Sequence, residues 1–200
     1  MNIIMTGSTS FVGAATVREL LRRGHTVTAI VRPKSSKLDT ILEGNEEALL
    51  SGRLLVTEND LSEPEKLLEK VTKPQDVFCH FGWGGSGSAS RTDKALQEKN
   101  MEISLETIRT AKALGCKKFL FSGSQAEYGM HQDLITEDAV CEPKSLYGEA
   151  KLAMREKGEK LCDELGLRYI HARIFSAYGP GDHPWTLVES CLDAFLNNKE

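Results

Sequence analysis

Residues 2–13, NIIMTGSTSFVG, are the stretch that decides the fold of this chain. The apolar run at residues 3–5 predicts a buried strand, and a turn separates it from a helical pattern that starts at Phe11. Such a turn presents free backbone N–H groups and the positive end of a helix dipole, which together can hold a pyrophosphate. Gly7 can make the sharp turn, and Gly13 allows the helix to pack closely on the sheet. Two glycines at this spacing also occur in ordinary strand–helix turns, so the rest of the chain must decide between the two interpretations.

Composition narrows the class of protein. A chain of 200 residues suits one domain with a substantial core, and a net charge of −4 gives no reason to expect a nucleic-acid partner. No apolar run approaches the ~20 residues that span a bilayer, and the N-terminus has no signal-peptide pattern, so we expect a cytoplasmic protein without a membrane partner. The five cysteines form no CxxC pair and have no metal-ligand spacing with the histidines, which predicts reduced thiols and no metal site.

The residues after the first turn complete a strand–helix–strand unit. Residues 11–24 predict a helix, and residues 26–31, TVTAIV, predict a second strand. In dinucleotide sites an acidic residue at the end of that strand binds the ribose 2′-hydroxyl and repels a 2′-phosphate. Here the position is Arg32, followed by Lys34 and Lys37, which favours NADP over NAD. The alternative is that Arg32 is a solvated surface charge.

Strands and helices continue to alternate along the rest of the chain. The further predicted strands are residues 54–56, 76–81, 118–122 and 168–174, and the further predicted helices are residues 93–115, 145–166 and 184–198, with a shorter helix capped by Ser62 and running to about residue 71. This alternation predicts an α/β fold, a Rossmann-type doubly wound parallel sheet of about six or seven strands with helices on both faces.

Three polar positions leave two interpretations open. Asp60, after the third strand, either hydrogen-bonds an adenine amino group or simply ends the strand. His80 lies in an apolar strand and is more simply a core histidine than a catalytic one. Asn100 is either a polar residue on a solvated helix face or a buried amide that orders a catalytic water or lysine.

Two segments mark the expected binding edge of the sheet. Residues 82–88, GWGGSGS, follow the fourth strand, and the fifth strand ends in Ser122-Gly123-Ser124. Ligands of open α/β sheets bind outside the carboxyl ends of the strands. Both segments are therefore expected to face a ligand.

Tyr147 and Lys151 form the candidate acid–base pair. Their i, i+4 spacing puts both on one face of the predicted helix. A phenol of pKa about 10 is a poor acid or base at neutral pH, and a nearby ammonium favours the phenolate. The same spacing is common on helix surfaces, so the pair gains meaning only in combination with the other motifs.

That combination resembles a known family. The glycine turn, Ser124, YGEAK at residues 147–151 and RIFSAYGPGD at residues 173–182 resemble the extended short-chain dehydrogenase/reductases, and among them the NAD(P)-dependent epimerase/dehydratase family of nucleotide-sugar enzymes. The resemblance implies that Ser124 holds the substrate oxygen, Tyr147 is the acid/base, and Lys151 binds the nicotinamide ribose and tunes Tyr147. It implies cofactor contacts by Gly7, Ser10, Phe11, Val12 and Gly13 at the pyrophosphate, Arg32 at the adenosine ribose, Asp60 and Leu61 at the adenine, and Phe81, Gly82, Trp83, Asn100, Ser122, Tyr147, Lys151 and Phe175 near the nicotinamide and its ribose.

Three positions depart from the family pattern. Ser10 replaces the middle glycine, which would cost ~1 kcal/mol if the position requires a left-handed backbone and otherwise offers a hydroxyl to a phosphate. Gln125 and Ala126 stand where dehydratases carry an acidic pair, and Glu127, one place later, is expected to point elsewhere. Ser176 replaces an asparagine that contacts the sugar diphosphate. The absence of the acidic pair favours a 4-keto reductase or an epimerase over a dehydratase.

Length and packing lead to further expectations. Family members usually continue for about another hundred residues, so we expect residues 1–200 to be an NAD(P)-binding domain truncated before the substrate lobe. A non-catalytic dinucleotide sensor or an inactive fragment is the alternative to an enzyme. The resemblance also implies a possible homodimer through the helices at residues 93–115 and 145–166.

Overall fold

Six strands form the sheet of this protein, seen in a computed structural model that describes residues 1–85 and 89–198. The strands are β1 (Asn2–Thr6), β2 (Thr26–Val31), β3 (Leu54–Glu58), β4 (Val77–His80), β5 (Lys118–Ser124) and β6 (Arg168–Ile174). All neighbouring strands are parallel, in the order β3-β2-β1-β4-β5-β6. This is the predicted doubly wound Rossmann-type arrangement. Positions 86–88 of the predicted glycine-rich loop lie outside the described residues.

Helices connect the strands. They are α1 (Phe11–Arg22), α2 (Asp39–Leu42), α3 (Glu46–Leu50), α4 (Leu67–Lys70), α5 (Lys94–Ala113), α6 (Leu146–Leu165) and α7 (Leu187–Leu196). Short 3-10 helices occupy Pro64–Lys66, Ala89–Thr92 and Gln125–Glu127. The long helices begin at side-chain caps, because Ser10, Asp93 and Ser145 each accept a backbone N–H of the first turn. Within the described chain, no helix is both long enough and apolar enough to cross a membrane.

The alternation of side chains along the strands divides the core between the two faces of the sheet. On one face, Ile4, Phe78 and Phe119 pack with apolar residues of α4, α5 and α6. On the other face, Met5 and Val27 pack with apolar residues of α1, α2 and α3. Helices therefore cover both faces, as predicted.

The topology brings the predicted binding segments to one edge. Strands β1 and β4 are neighbours at the centre of the sheet, and the chain leaves them toward opposite sides. In such sheets the crevice between the two diverging connections receives the ligand. The glycine turn after β1 and the loop after β4 meet at this point.

The predicted cap at Ser62 is wrong, although helical structure is present before residue 71, close to the predicted end. The N–H and hydroxyl of Ser62 both donate to Asp60 Oδ1, at 2.9 and 2.6 Å, in a local turn. Because the Ser62 hydroxyl is hydrogen-bonded to Asp60, it does not cap a helix. The chain instead forms the 3-10 turn Pro64–Lys66 and the single turn α4.

Candidate active site

A cavity of about 420 Å³ opens at the carboxyl ends of β1 to β4. The predicted cofactor residues that line it are Gly7, Ser10, Arg32, Asp60, Leu61, Phe81, Gly82 and Trp83. A second cavity of about 900 Å³ adjoins the start of α1, where it is lined by Phe11 and Val12 and by the loop at residues 177–181. The glycine turn therefore lies between two recesses at the binding edge of the sheet.

Two glycines of the turn are required by close packing. Gly7 has a φ of +70°, and a Cβ on it would lie 2.7 Å from the carbonyl carbon of Phe81. A Cβ on Gly13 would collide with the carbonyl oxygen of Gly7. The turn and the first residues of α1 can approach each other and the end of β4 only because both positions lack a side chain.

Ser10 fits its position without backbone strain. Its φ of −76° is an ordinary value, so the expected penalty for a left-handed serine does not arise. Its hydroxyl donates to the Gly7 carbonyl at 2.8 Å and accepts the Gly13 N–H at 3.1 Å, which caps α1. Among the described residues, the N–H groups of Phe11 and Val12 have no acceptor. These donors at a helix N-terminus are suited to an anion.

The part of the cavity beyond the ends of β2 and β3 carries charges of both signs. Arg32 and Lys37 line it, and neither side chain is paired with a carboxylate in the described part of the chain. Asp60 also lines the cavity, and hydrogen bonds from Ser62 hold the pKa of its carboxyl below its ordinary value. Asp60 therefore remains an anionic acceptor, two residues beyond the end of β3.

Buried amides of α5 fix the loop after β4. Asn100 is buried and accepts the Gly84 N–H at 3.0 Å, while its own amide donates to the Gly84 carbonyl at 2.8 Å. Gln97 accepts the indole N–H of Trp83 at 3.0 Å. Of the two interpretations for Asn100, the buried amide is confirmed, and its partner is the loop backbone rather than a lysine.

His80 is a core histidine, as interpreted from the sequence. It is fully buried between the hydroxyls of Thr6, at 2.8 Å, and Ser104, at 3.1 Å. Burial lowers its pKa to about 3, with a smaller contribution from the charge of Lys151. A neutral imidazole with both nitrogens hydrogen-bonded is a structural link between β1, β4 and α5.

Lys151 is enclosed by aromatic rings. Its Nζ donates to the Ser122 carbonyl at 2.7 Å and lies 3.9 Å from the ring centre of Trp83 and 4.6 Å from that of Phe121. Burial lowers its pKa to about 7, although the charge of Glu127 opposes the shift. Cation–π contacts and one carbonyl thus hold an ammonium that is close to losing its proton at neutral pH.

Tyr147 lies beside this enclosure, with its ring edge-on to Trp83 at 6.3 Å. Burial raises its pKa, while a hydrogen bond with Ser124 and the charge of Arg91, whose guanidinium lies 5.0 Å from the ring centre, oppose the rise. Lys151 Nζ lies 5.7 Å from the centre of the Tyr147 ring, and its tuning of this pKa stays a prediction. Ser124, Tyr147 and Lys151 are nevertheless neighbours, as predicted.

Six of the predicted cofactor positions line neither cavity, namely Gly13, Asn100, Ser122, Tyr147, Lys151 and Phe175. Phe175 is 46% exposed, and its ring packs on Tyr128 with centres 5.9 Å apart. Ser122 contributes its carbonyl to Lys151 and does not line the cavity.

A buried ionic cluster behind Ser124 was not predicted. The carboxylate of Glu127 is fully buried against His171 and Arg173, at 2.9 Å from each. The sequence signal was the spacing of His171 and Arg173, two residues apart on β6 and so on one face of the sheet. Glu127 was expected to point elsewhere, but its carboxylate contacts β6 and also accepts the Ser124 N–H.

Comparison with known proteins gives both curated relatives and solved structures. The chain is 29% identical to D-erythronate dehydrogenase of Cupriavidus necator over 178 residues, which cover 87% of this chain and 53% of that protein. It is 28% identical to a UDP-glucose 4-epimerase of Pisum sativum over 183 residues, which cover 88% of this chain and 52% of the relative. The structure of UDP-glucose 4-epimerase from Thermotoga maritima with UDP-glucose superposes with a TM-score of 0.81 at 25% identity, covering all of this chain and 64% of that one. The chain therefore spans about half to two thirds of the length of these proteins.

The family comparison agrees with the geometry. The model of the NAD dependent epimerase/dehydratase family matches residues 3–200, nearly the whole chain. The strand order, the glycine turn and the neighbouring Ser124, Tyr147 and Lys151 agree with this match. This chain belongs to the NAD dependent epimerase/dehydratase family.

Proposed function

We propose that this chain carries the cofactor site and the catalytic residues of an NAD(P)-dependent oxidoreductase that acts on a nucleotide-activated sugar. One observation carries the proposal. Ser124, Tyr147 and Lys151 meet at the carboxyl end of β5, next to a cavity at the position where α/β sheets bind dinucleotides.

The residues around the cavity fit a dinucleotide. The glycine turn leaves room at the start of α1, and the N–H groups of Phe11 and Val12 are available to a pyrophosphate. Trp83, Gly82 and Lys151 would lie on the nicotinamide side. NAD(P), when bound, supplies or accepts the hydride.

Side chains of the protein would transfer the proton that accompanies the hydride. The Ser124 hydroxyl would hold the sugar oxygen at which the proton is gained or lost, and the Tyr147 hydroxyl would transfer that proton. Lys151 has ammonium hydrogens beyond the one given to the Ser122 carbonyl, and these can orient a ribose hydroxyl.

A keto-sugar reductase or an epimerase fits these residues better than a dehydratase does. Elimination of water needs an acid and a base next to the catalytic serine, and Gln125 and Ala126 can be neither. The nearest carboxylate, Glu127, is held by His171 and Arg173.

We propose NADP as the preferred cofactor. Arg32 and Lys37 line the cavity at the end of β2 without a carboxylate partner in the described chain, which suits a 2′-phosphate. Titration of NADPH and NADH by tryptophan fluorescence tests the preference, and tighter binding of NADH would overturn it.

Substitution of Tyr147 by Phe tests the proposed reaction. Substrates of the relatives provide the panel: UDP-glucose, UDP-glucuronic acid, dTDP-6-deoxy-L-talose and D-erythronate. We expect the Tyr147→Phe variant to lose at least about 100-fold in turnover, because general acid–base catalysis contributes this much, while NAD(P)H binding is kept. An active variant would refute the role of Tyr147. Cofactor binding by the wild-type chain without turnover of any substrate would favour a non-catalytic sensor instead.

We also propose a homodimer formed through α5 and α6. These helices lie side by side, and Met101, Leu105 and Leu161 on them are only partly buried. A two-fold interface would cover these side chains. Sedimentation velocity over a wide concentration range tests this, and a monomer at every concentration would contradict it.

A further inference from the structure

We infer that Glu127 is a positioning residue that fixes Ser124 relative to the helix carrying Tyr147 and Lys151. The inference rests on the proposed function and deepens it, because it identifies what holds the proposed catalytic groups in register. The observation behind it is a continuous buried chain of hydrogen bonds that runs from β5 through β6 to α6.

The first hydrogen bonds of this series fix the backbone at Ser124. Glu127 Oε1 accepts the Ser124 N–H at 2.7 Å, and the Ser124 hydroxyl accepts the Ala126 N–H at 3.2 Å. These reciprocal bonds form a capping box on the 3-10 helix Gln125–Glu127. They set the direction in which the Ser124 hydroxyl can point.

The second part connects Glu127 to α6. His171 Nε2 lies 2.9 Å from both carboxylate oxygens, and its Nδ1 lies 3.1 Å from the Tyr169 hydroxyl. That hydroxyl donates to the Met154 carbonyl at 2.9 Å. Met154 is on α6, one turn beyond Lys151, so a single buried path joins the elements that carry the three proposed catalytic residues.

Two glycines provide the space for this path. A Cβ on Gly123 would lie 2.5 Å from His171 Nε2 and 2.6 Å from Glu127 Oε1. A Cβ on Gly158 would lie 2.9 Å from the Tyr169 ring. Because Gly123 and Gly158 have no side chain, the backbones of β5 and α6 can lie directly against the hydrogen-bonded residues Glu127, His171 and Tyr169.

Glu127 is charged in this setting. Burial raises the pKa of its carboxyl, but the hydrogen bonds from His171 and Arg173 outweigh burial and hold the pKa below its ordinary value. A buried carboxylate is tolerated only when it is paired and hydrogen-bonded in this way. Its negative charge opposes the lowering of the Lys151 pKa by burial and adds to the raising of the Tyr147 pKa.

The test is Glu127→Gln in the full chain, compared with Glu156→Gln as a matched change of an exposed carboxylate on α6. Loss of a charge-assisted hydrogen bond is worth about 1.5–3 kcal/mol, so we expect kcat to fall by about 10- to 100-fold. The affinity for NAD(P)H should stay within about twofold, because the cluster does not line the cofactor cavity. Glu156→Gln should leave both quantities unchanged.

The pH profile separates positioning from simple loss of structure. The groups that hydrogen-bond the Glu127 carboxylate are Ser124 on β5 and His171 and Arg173 on β6, and its charge also acts on Tyr147 and Lys151 of α6. Removing the negative charge should lower the pKa values of Tyr147 and Lys151, so the limbs of the pH–rate profile should move to lower pH. Glu127→Asp keeps the charge and shortens the reach, so it should keep the wild-type profile while kcat remains reduced.

Hydrogen exchange at the Ser124 amide gives a readout that needs no substrate. We expect protection in the wild type and at least about tenfold faster exchange in Glu127→Gln, in line with the lost bond. Unchanged exchange in that variant would overturn the inference, as would wild-type kcat together with an unmoved pH profile. Turnover that persists in Tyr147→Phe would instead refute the proposed function, and the exchange measurement would still decide the role of Glu127.

Discussion

At the scale of single residues, Gly13 shows how packing overrules helix propensity. Alanine is favoured over glycine in a helix by about 1 kcal/mol. Here the added Cβ would collide with the Gly7 carbonyl oxygen and would lie 2.8 Å from the Ser10 hydroxyl. Both neighbours belong to the turn that forms the start of the proposed cofactor site, so neither can move without opening the turn.

We therefore expect Gly13→Ala to lower the free energy of unfolding by about 1–3 kcal/mol, the usual cost of overpacking. Ala15→Gly, at an exposed position of the same helix, measures propensity alone and should cost about 1 kcal/mol. Urea denaturation of both variants provides the measurement. A stabilised Gly13→Ala variant would show that the steric argument is wrong.

Lys151 makes stability depend on pH. Its pKa is about 7 in the folded chain and has the ordinary value of about 10.5 when unfolded, so between these values the unfolded chain binds more protons. Stability contributed by this group therefore rises with pH in that window, by at most about 1.4 kcal/mol per pH unit.

Comparison of the wild type with Lys151→Met isolates this contribution. Unfolding by urea in the presence of a reductant should show a flatter pH dependence for the variant between about pH 7 and pH 9. Buried thiols with raised pKa values, such as Cys79, add an opposite slope at higher pH that is common to both proteins. Parallel curves for the two proteins would mean that the buried lysine keeps its ordinary pKa.

The sequence could predict the catalytic candidates residue by residue, because their spacing and order are set by one helix and one strand end. It could not predict the direction of the Tyr147 pKa, which depends on how deeply the ring is buried and on Arg91 across the loop. Nor could it predict that Glu127 binds His171 and Arg173, which are more than 40 residues away in the chain. Contacts between side chains on different strands can be predicted only when the register of the sheet is known.

At the scale of elements, helix α5 acts as the anchor of the loop after β4. Asn100 uses both ends of its amide on the two backbone groups of Gly84. Asn100→Asp keeps an acceptor for the Gly84 N–H but places a second carboxylate oxygen against the Gly84 carbonyl. Since Gly84 lines the cavity, we expect NAD(P)H affinity to fall by about tenfold, equivalent to about 1.4 kcal/mol.

Fluorescence titration of NADPH against Asn100→Asp and Glu98→Gln checks this expectation. Glu98 is exposed on the same helix and should bind cofactor like the wild type. Equal affinities for all three proteins would mean that the loop does not contact the cofactor.

The bounds of an element can be predicted where the local sequence determines them, and not where packing against the rest of the fold does. The predicted bounds of β2 and β6 agree with the structure, because each is a β-rich run between clear breakers. The short helices α2 and α3 were not predicted, since each has only about one turn and depends on packing of Ile41 and Ala48 against the sheet. Such turns have too little periodicity to be recognised in a sequence.

At the scale of the whole molecule, the parallel order of the sheet gathers remote segments at one edge. The glycine turn and the end of β2 with Arg32 line the cavity at the switch between β1 and β4, and the Tyr147 ring on α6 contacts Trp83 of the same cavity. This meeting could be predicted because a doubly wound sheet permits few arrangements. The shape of the two cavities could not, because loop conformation determines it.

Cofactor preference can be measured on the whole folded chain. A ligand that binds only the folded state raises Tm, and the tighter ligand raises it more at the same concentration. At a ligand concentration 100 times Kd the gain is about 2.7 kcal/mol, or about 5–10 °C for a domain of this size. We expect NADPH to raise Tm more than NADH does, and Arg32→Glu to reverse that order by repelling the 2′-phosphate and accepting the 2′-hydroxyl. Arg168→Glu, at the opposite edge of the sheet, is the matched control and should preserve the wild-type order. Equal shifts with the two cofactors in the wild type would contradict the proposed role of Arg32.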